Sequence, residues 1–474
     1  MAFAFLGHFD IDNNDVVLRC QAGRNLVCGF LKEKFMAVSD TIFALSSASG
    51  FAGVAVVRIS GPKALDVAEK LAGLKNPKPR YAHFVTLTHK NKIIDKALLI
   101  YFKAPSSFTG EDVVEIQCHG SRAVLKALFS ILSDISGCRM AEAGEFTRRA
   151  VYNNKMDLTA AEGLIDLIHA ETEAQRAAAV RQMGGTLQKL YDGWREELVK
   201  TMAYVEAFID FPDEEIPPEQ AQKIADRIKD IRLRIQKHLA DDNGVGQRLK
   251  DGFQIAIVGA PNVGKSSLLN AITRTDKAIV SDIAGTTRDV IEVHLDVSGY
   301  PVILADTAGL RKTRGVIEGQ GVQKAIRKAL DSDLLLAVGS AENYPRLDEK
   351  TQDLVKKHPC SLVVWNKTDK KPVPATALSV CAKTGQGVEV LMARIRQRVE
   401  DKMSCSSAAL VTQLRYKTAL KECDAALMRA QVTDVLELKA EELRLAARAL
   451  GKITGFVRTE ELLDVIFSSF CIGK

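Results

Sequence analysis

Gly259-Ala260-Pro261-Asn262-Val263-Gly264-Lys265-Ser266 reads GxxxxGKS, and its two flanks decide the fold. Before it, Phe253-Gln254-Ile255-Ala256-Ile257-Val258 is a short apolar run with β-branched residues, the pattern of a buried strand. After it, Ser267-Leu268-Leu269-Asn270-Ala271-Ile272 has helical apolar spacing. A glycine loop between strand and helix surrounds a phosphate chain with backbone N–H groups and the positive end of the helix. In that arrangement Lys265 reaches the β- and γ-phosphates and the Ser266 hydroxyl ligates Mg²⁺. The stretch predicts a P-loop α/β domain.

Downstream elements select the nucleotide. Asp306-Thr307-Ala308-Gly309 comes after the apolar run Val302-Ile303-Leu304-Ala305. An aspartate at that strand end meets the Mg²⁺ shell, and a glycine N–H there touches the γ-phosphate. Asn366-Lys367-Thr368-Asp369 comes after a third run, Ser361-Leu362-Val363-Val364-Trp365. The Asp369 carboxylate accepts two hydrogen bonds from guanine, from the ring N–H and the exocyclic amine. Adenine offers no such pair, so the acid would be left unpaired against it. Cys381-Ala382-Lys383, after an expected strand Ala377-Leu378-Ser379-Val380, closes over the base. Four motifs in this order and spacing predict GTP. The predicted contacts from the phosphate loop are Asn262, Val263, Gly264, Lys265, Ser266 and Ser267. Asp306 to Gly309, Asn366 to Asp369 and Cys381 to Lys383 complete these four motifs.

At 474 residues the chain is too long for one core, and two or three domains are expected. Its composition is that of a soluble globular protein, and no apolar run approaches membrane-spanning length, so no membrane partner is expected. Nine cysteines lie scattered without a CxxC pair, which reads as reduced thiols in a cytoplasmic protein. A net charge of +6 permits a nucleic-acid partner without arguing for one.

Residues 1–35 differ in pattern from the rest of the chain. Regular patterning starts after Met36, and the first 35 residues are expected to be an extension, a start-site artefact or a disordered arm. From 36 to 155, buried-strand runs (Gly53 to Ile59, Ala97 to Phe102) alternate with helical ones (Ala64 to Leu71, Ala123 to Ile135), predicting an α+β domain. From 156 to 248 apolar residues recur at three- and four-residue spacing, as in Leu187, Leu190, Trp194 and Leu198. Prolines at 212, 217 and 218 break this helical stretch, and the acidic run Asp210 to Glu215 reads as a helix-end turn. The GTP-binding domain spans 249–399. Helical periodicity then returns over Val411 to Gly451, so 156–248 and 400–474 are predicted to form one all-α domain into which the GTPase is inserted.

Hydrolysis poses a problem. Many GTPases orient the attacking water with a glutamine directly after the DTAG glycine. Here that residue is Leu310, which cannot hydrogen-bond. Arg288, Arg311, Arg314 or a bound monovalent cation are the candidates for offsetting phosphate charge. Asn262 and backbone oxygens of the loop Ser281 to Thr286 are candidate cation ligands, Glu318 is a candidate for orienting water, and Thr287 is expected to complete the Mg²⁺ shell.

The inserted GTPase, the loop Asp282-Ile283-Ala284-Gly285-Thr286-Thr287-Arg288-Asp289 and the ending Phe467-Ser468-Ser469-Phe470-Cys471-Ile472-Gly473-Lys474 resemble the MnmE (TrmE) family of tRNA uridine-modification GTPases. So do Arg58-Ile59-Ser60-Gly61, Ser107-Phe108-Thr109-Gly110-Glu111-Asp112 and Gly144-Glu145-Phe146-Thr147, and the resemblance runs from about Ser39 to Lys474. It implies an N-terminal folate-binding domain that pairs two chains, a helical domain and an inserted GTPase. It implies a flavin-dependent partner, MnmG (GidA), in a heterotetramer or larger complex. The two would install an aminomethyl or carboxymethylaminomethyl group on carbon 5 of the tRNA wobble uridine. A 5-formyl- or 5,10-methylene-tetrahydrofolate would supply the one-carbon unit. GTPase domains of this family dimerise across K⁺.

By resemblance the K⁺ ligands are Asn262, Ser281, Ile283 and Thr286, the Mg²⁺ ligands Ser266 and Thr287, and the water-orienting acid Glu318. Ser281, Asp282, Ile283, Ala284, Gly285, Thr286 and Thr287 thereby join the GTP-binding set. Arg58, Glu115, Lys155 and Lys474 match folate positions: cations suit a glutamate tail, and a carboxylate suits the donor edge of a pterin. Cys471 matches a cysteine linked to the modification step. Departures are Gly50-Phe51-Ala52-Gly53, which lacks an arginine the family often has there, and Cys381 in place of the usual serine. The Cys381 backbone N–H is still expected to reach guanine. The alternative reading is a ribosome-assembly or signalling GTPase with partner-binding flanks, which has no need of a folate pocket.

Overall fold

The computed structural model describes residues 9–12, 15–19, 25–28, 40–210, 218–242, 244–275, 278–279, 291–306, 323, 326–403, 411–456, 460–468, 470 and 473. The chain divides into two compact units, Met1–Asn153 with Ile472–Lys474, and Asn154–Cys471. The expected domain division keeps all of 400–474 with the helices. Gly473 instead belongs to the first unit, where its carbonyl accepts a hydrogen bond from Ser46 Oγ at 2.8 Å.

In the first unit β1 (Phe9–Asp12), β2 (Asp15–Arg19) and β3 (Asn25–Cys28) form an antiparallel sheet, with Phe9 opposite Leu18 and Val16 opposite Cys28. The described part of the first 35 residues is therefore paired backbone and not a disordered arm. Next come β4 (Thr41–Leu45), β5 (Ala52–Ser60), α1 (Ala64–Ala72), β6 (Ala82–His89), β7 (Lys92–Phe102), β8 (Val113–Gly120), α2 (Arg122–Ser133), β9 (Cys138–Met140) and α3 (Glu145–Tyr152). The six strands order as β6-β7-β8-β5-β4-β9. Val57, Ile59, Leu87, Leu99 and Ile116 alternate onto one face and bury against Val67 and Leu71 of α1 and Leu128 and Leu132 of α2. The Ser121 hydroxyl caps α2 by accepting from Val124 N at 3.2 Å. On the opposite face Ile42 and Ala44 pack under Phe146 of α3, with Phe108 against the same cluster. The rest of that face is open: Phe84 and Leu98, a cross-strand pair, are 72% and 38% exposed.

The SFTGED and GEFT stretches are legible in the fold as two sides of one ionic knot. The Arg149 side chain, 2% exposed, donates to Asp40 Oδ1 at 2.9 Å, Glu145 Oε1 at 3.0 Å and Glu111 at 3.2 Å. Arg139 also holds Glu145, and Ser60 Oγ donates to Glu111 at 2.6 Å. Burial pushes the Asp40 and Glu145 carboxyls up, but the two arginines more than offset it and both end below their ordinary values of 3.8 and 4.5. Protons therefore bind the unfolded chain first as pH falls. The stabilisation from this pair is whole above those ordinary values and is lost as pH drops through the lower folded ones. Arg149→Met, which keeps the length and removes the buried cation shared by Asp40, Glu145 and Glu111, is expected to destabilise by about 3–5 kcal/mol at neutral pH. The penalty should shrink below about pH 4 as Asp40 and Glu145 protonate. Denaturant melts of both proteins across pH check this, and equal penalties at pH 7 and pH 3 would refute it.

The second unit opens with α4 (Leu158–Ile168), α5 (Glu173–Met183), α6 (Thr186–Asp210), α7 (Pro218–Asp242) and α8 (Val245–Asp251). Next come β10 (Phe253–Val258), α9 (Lys265–Thr275), β11 (Ala278–Ile279), β12 (Ile291–Val297), β13 (Tyr300–Asp306), β14 (Leu334–Ser340), α10 (Glu349–Lys357), β15 (Ser361–Asn366) and α11 (Val388–Met403). It ends with α12 (Leu414–Val432), α13 (Leu436–Thr454) and α14 (Glu460–Ser468). The sheet orders as β11-β12-β13-β10-β14-β15, with β13, β10, β14 and β15 parallel. Near-continuous Leu/Ile/Val runs in β10 and β14 reflect burial on both faces.

Helices from before and after the GTPase pack together. Arg415 of α12 donates to Glu162 of α4 at 2.7 Å and to the Ile453 carbonyl of α13 at 3.0 Å, while Tyr416 also donates to Glu162. Arg232 of α7 bonds Asp424 of α12 at 3.0 Å. The insertion is closed by one side chain: Asp242, 5% exposed, accepts from Gly246 N at 3.2 Å and Val411 N at 3.0 Å. A Cβ on Gly246 would lie 2.6 Å from the Val411 carbonyl oxygen, so only glycine allows the two joins to touch.

One predicted strand is absent. Over Ala377 to Val380 there is a single bridge, Trp365 to Ser379. Pro372 and Pro374 lack the N–H groups a ladder needs, and a turn from Ala377 N to Pro374 O brings the chain in late.

Candidate nucleotide-binding site

β10 ends at Val258 between β13 and β14, and the glycine loop leaves from the carboxyl ends of these parallel strands, where open α/β sheets bind ligands. Gly264 sits at φ +95°, and a Cβ there would stand 2.4 Å from Asn366 Nδ2. Lys265, the first residue of α9, is 8% exposed; its Nζ donates to the Gly259 and Ala260 carbonyls, each at 2.8 Å. The ammonium is thus held across the loop at a helix N-terminus, where phosphate charge is favoured.

Ser266 Oγ donates to Asp306 Oδ2 at 2.9 Å, and Asp306 is 2% exposed at the end of β13. A hydroxyl and a carboxylate oxygen side by side fit Mg²⁺, a hard cation that takes one or two protein oxygens and the rest from phosphates and water. Among the described residues no group of three or more His, Cys, Asp or Glu could hold a metal.

Asn366 ties the motifs together. Its Nδ2 donates to Val263 O at 3.0 Å, and its Oδ1 accepts from Ala382 N at 3.0 Å. Lys367 Nζ donates to the Asn262 backbone carbonyl at 2.6 Å. Asp369 is exposed on the rim. The Cys381 backbone N–H, expected to reach guanine, instead donates to Gln386 O at 2.8 Å, and the thiol meets the Asp369 carboxylate: Sγ donates to Oδ1 at 3.4 Å. Ser267 and Lys383 are exposed nearby in sequence, and Thr368 N donates to Val380 O at 3.4 Å.

Ser281, Asp282, Ile283, Ala284, Gly285, Thr286, Thr287, Thr307, Ala308, Gly309 and Glu318 lie outside the described residues. So do Arg288, Arg311, Arg314, Cys471 and Lys474.

Of the predicted folate residues, Arg58 and Glu115 meet. They are cross-strand partners on β5 and β8, with Arg58 Nε donating to Glu115 Oε1 at 2.9 Å. The guanidinium lies 5.3 Å from the Phe108 ring centroid and 5.8 Å from that of Phe146. Lys155 is exposed in the turn before α4 and belongs to the second unit.

A phosphate loop running from the carboxyl ends of parallel strands into a helix, with the NKTD stretch tied to that loop through Asn366, defines a P-loop GTPase. The family model described as the MnmE helical domain matches residues 158–471, and the one described as the GTP-binding protein TrmE N-terminus matches 41–155. The tRNA modification GTPase MnmE of Parvibaculum lavamentivorans is 48% identical, over 92% of this chain and 100% of that protein. That of Rhodospirillum rubrum is 46% identical, over 92% and 99%. Among solved structures, Aquifex aeolicus Era bound to GDP and aluminium fluoride is 25% identical over 39% of this chain and 69% of that one, with a TM-score of 0.26. The chain belongs to the MnmE (TrmE) family. No helix among the described residues is long and apolar enough to cross a membrane.

Proposed function

We propose that this GTPase acts in tRNA modification. With a flavin-dependent partner, it adds an aminomethyl or carboxymethylaminomethyl group to carbon 5 of the wobble uridine, drawing the one-carbon unit from a reduced folate. The observation that carries the folate reading is the Arg58–Glu115 pair, set beside Phe108 and Phe146 at the edge of an open apolar sheet face. A guanidinium suits a carboxylate tail, a carboxylate suits a pterin donor edge, and aromatic rings suit its flat face. Lys155 and Lys474 are proposed as the further cations of this site, and Cys471 as a participant in the modification step. The exposed Phe84 and Leu98 support pairing of two chains through that face, in a cytoplasmic homodimer. The test is binding of 5-formyltetrahydrofolate by the purified protein and its Arg58→Ala variant, with wobble nucleosides analysed in cells lacking the chain. No folate binding together with unchanged nucleosides would overturn the reading in favour of a switch GTPase.

Hydrolysis is proposed to run through GTPase domains paired across K⁺. Asn262, Ser281, Ile283 and Thr286 would be its ligands, Ser266 and Thr287 would hold Mg²⁺, and Glu318 would orient water. Leu310 supports this, since it leaves the usual water-orienting position without a polar group. At matched ionic strength the wild type is expected to hydrolyse GTP at least about tenfold faster in K⁺ than in Na⁺, with Asn262→Ala abolishing the difference. Equal rates in the two salts would assign the charge to an arginine or a partner protein.

A further inference from the structure

α12 and α13 form an antiparallel helical hairpin whose inner faces pack on α7 and α6. Its outer face carries a groove of about 370 Å³. Ala425 and Ala426 of α12 and Ala449 of α13 floor it, and side chains this small let a third backbone come close. An ion pair across the hairpin closes each end: Lys452 Nζ to Glu422 Oε2 at 2.9 Å, and Arg429 Nε to Glu442 Oε1 at 2.7 Å. Leu445 lines the groove and is 40% exposed. From it an apolar stripe continues at helical spacing toward the hairpin turn, through Leu438 on α13 and Met428 and Val432 on α12. All three are exposed, Val432 at 79%. A run of large exposed apolar side chains on one face marks an interaction surface.

The charges say what covers it. Three cations, Arg429, Arg448 and Lys452, line the groove against one carboxylate, Glu422. Arg429 and Lys452 already hold acids. Arg448 is exposed, and among the described residues it has no ion-pair or hydrogen-bond partner. A second copy of this face would set one cation-lined groove against another about a two-fold axis. RNA would meet the cations and leave the apolar stripe in water. An acidic amphipathic helix satisfies both features at once.

We propose that the outer groove of the α12–α13 hairpin is the docking site for an acidic amphipathic helix of a partner protein. Apolar residues a turn apart on that helix fill the groove and follow the stripe, and a carboxylate on its flank takes Arg448 in a bidentate pair. No lining residue belongs to the nucleotide-binding site, so the surface can be altered without touching GTP hydrolysis.

The test uses the full-length protein and fluorescent helical peptides of about 20 residues, read by anisotropy. One carries leucines at i, i+4 and i+7 flanked by glutamates. A second has lysine for each glutamate, and a third has serine for each leucine. The Leu/Glu peptide should bind at least about tenfold more tightly than either control. Arg448→Glu and Leu445→Glu, both at exposed positions, should each weaken it about tenfold or more while GTP hydrolysis and the melting temperature stay unchanged. Arg448→Glu should also improve binding of the lysine peptide, since the unpaired charge has changed sign. No binding of the Leu/Glu peptide up to about 1 mM, or binding insensitive to both variants, overturns the proposal. Two further results would also overturn it by assigning another occupant. One is a short RNA duplex that binds in place of the peptide and is lost with Arg448→Glu. The other is concentration-dependent self-association, seen by sedimentation, that Leu445→Glu abolishes.

Discussion

Asp369→Asn is expected to lower kcat/KM for GTP by about 10³-fold or more and to make xanthosine triphosphate the better substrate. Guanine presents two donors on the edge that Asp369 faces. Asparagine offers one acceptor and one donor, so its amide N–H₂ meets the guanine amine donor to donor and both lose a partner. Unpaired polar groups of this kind cost the full desolvation of each. Xanthine carries a carbonyl where guanine has the amine, so its ring N–H and that carbonyl match the asparagine oxygen and nitrogen. Asp369 is exposed on the rim, and Asn366 ties the loop to Val263 and Ala382 through hydrogen bonds that do not involve Asp369, so the site is expected to stay intact in the variant. Initial rates with both triphosphates check this. A variant slow on both, or still selective for GTP, would place guanine recognition elsewhere.

Lys265→Ala is expected to cost about 10²- to 10³-fold in kcat/KM for GTP, the scale of losing one preorganised donor to developing phosphate charge. Lys265 Nζ lies between the Gly259 and Ala260 carbonyls, so the cation is already aimed along the loop before any phosphate arrives. Little reorganisation is then left for the transition state. Lys265→Arg should rescue poorly, because a broad planar guanidinium cannot occupy a point-charge slot bounded by two carbonyl oxygens. Melting curves of both variants serve as the control. A loss of activity that tracked unfolding would remove the phosphate-binding interpretation.

The GTP motifs are legible because each is made by consecutive residues. A glycine loop leading at once into a helix start binds phosphate with its own backbone, and the strand, loop and α9 stand where the sequence puts them. The amphipathic spacing of Leu187, Leu190, Trp194 and Leu198 likewise announces α6. The expected strand at 377–380 does not form because short apolar runs read alike whether or not the preceding prolines let them join a ladder. The family pattern, with a serine at position 381, points to an N–H donor to guanine. The loop's own turn takes that N–H to Gln386 and leaves the thiol as the group that meets Asp369.

By itself, then, the sequence determined the nucleotide and the main helices and strands, since those signals lie in local motifs and in the period of apolar residues. The tertiary structure decided what depends on groups far apart in the chain. Asp242 closes the insertion by meeting Val411 across 169 residues, and Arg149 gathers Asp40 from 109 residues away. Glu162 is joined to Arg415 across 253 residues. Such pairings carry no periodic or motif signal. Each forms only where packing of the surrounding helices and sheet has already brought the partners together, excluded water and made an unpaired charge costly.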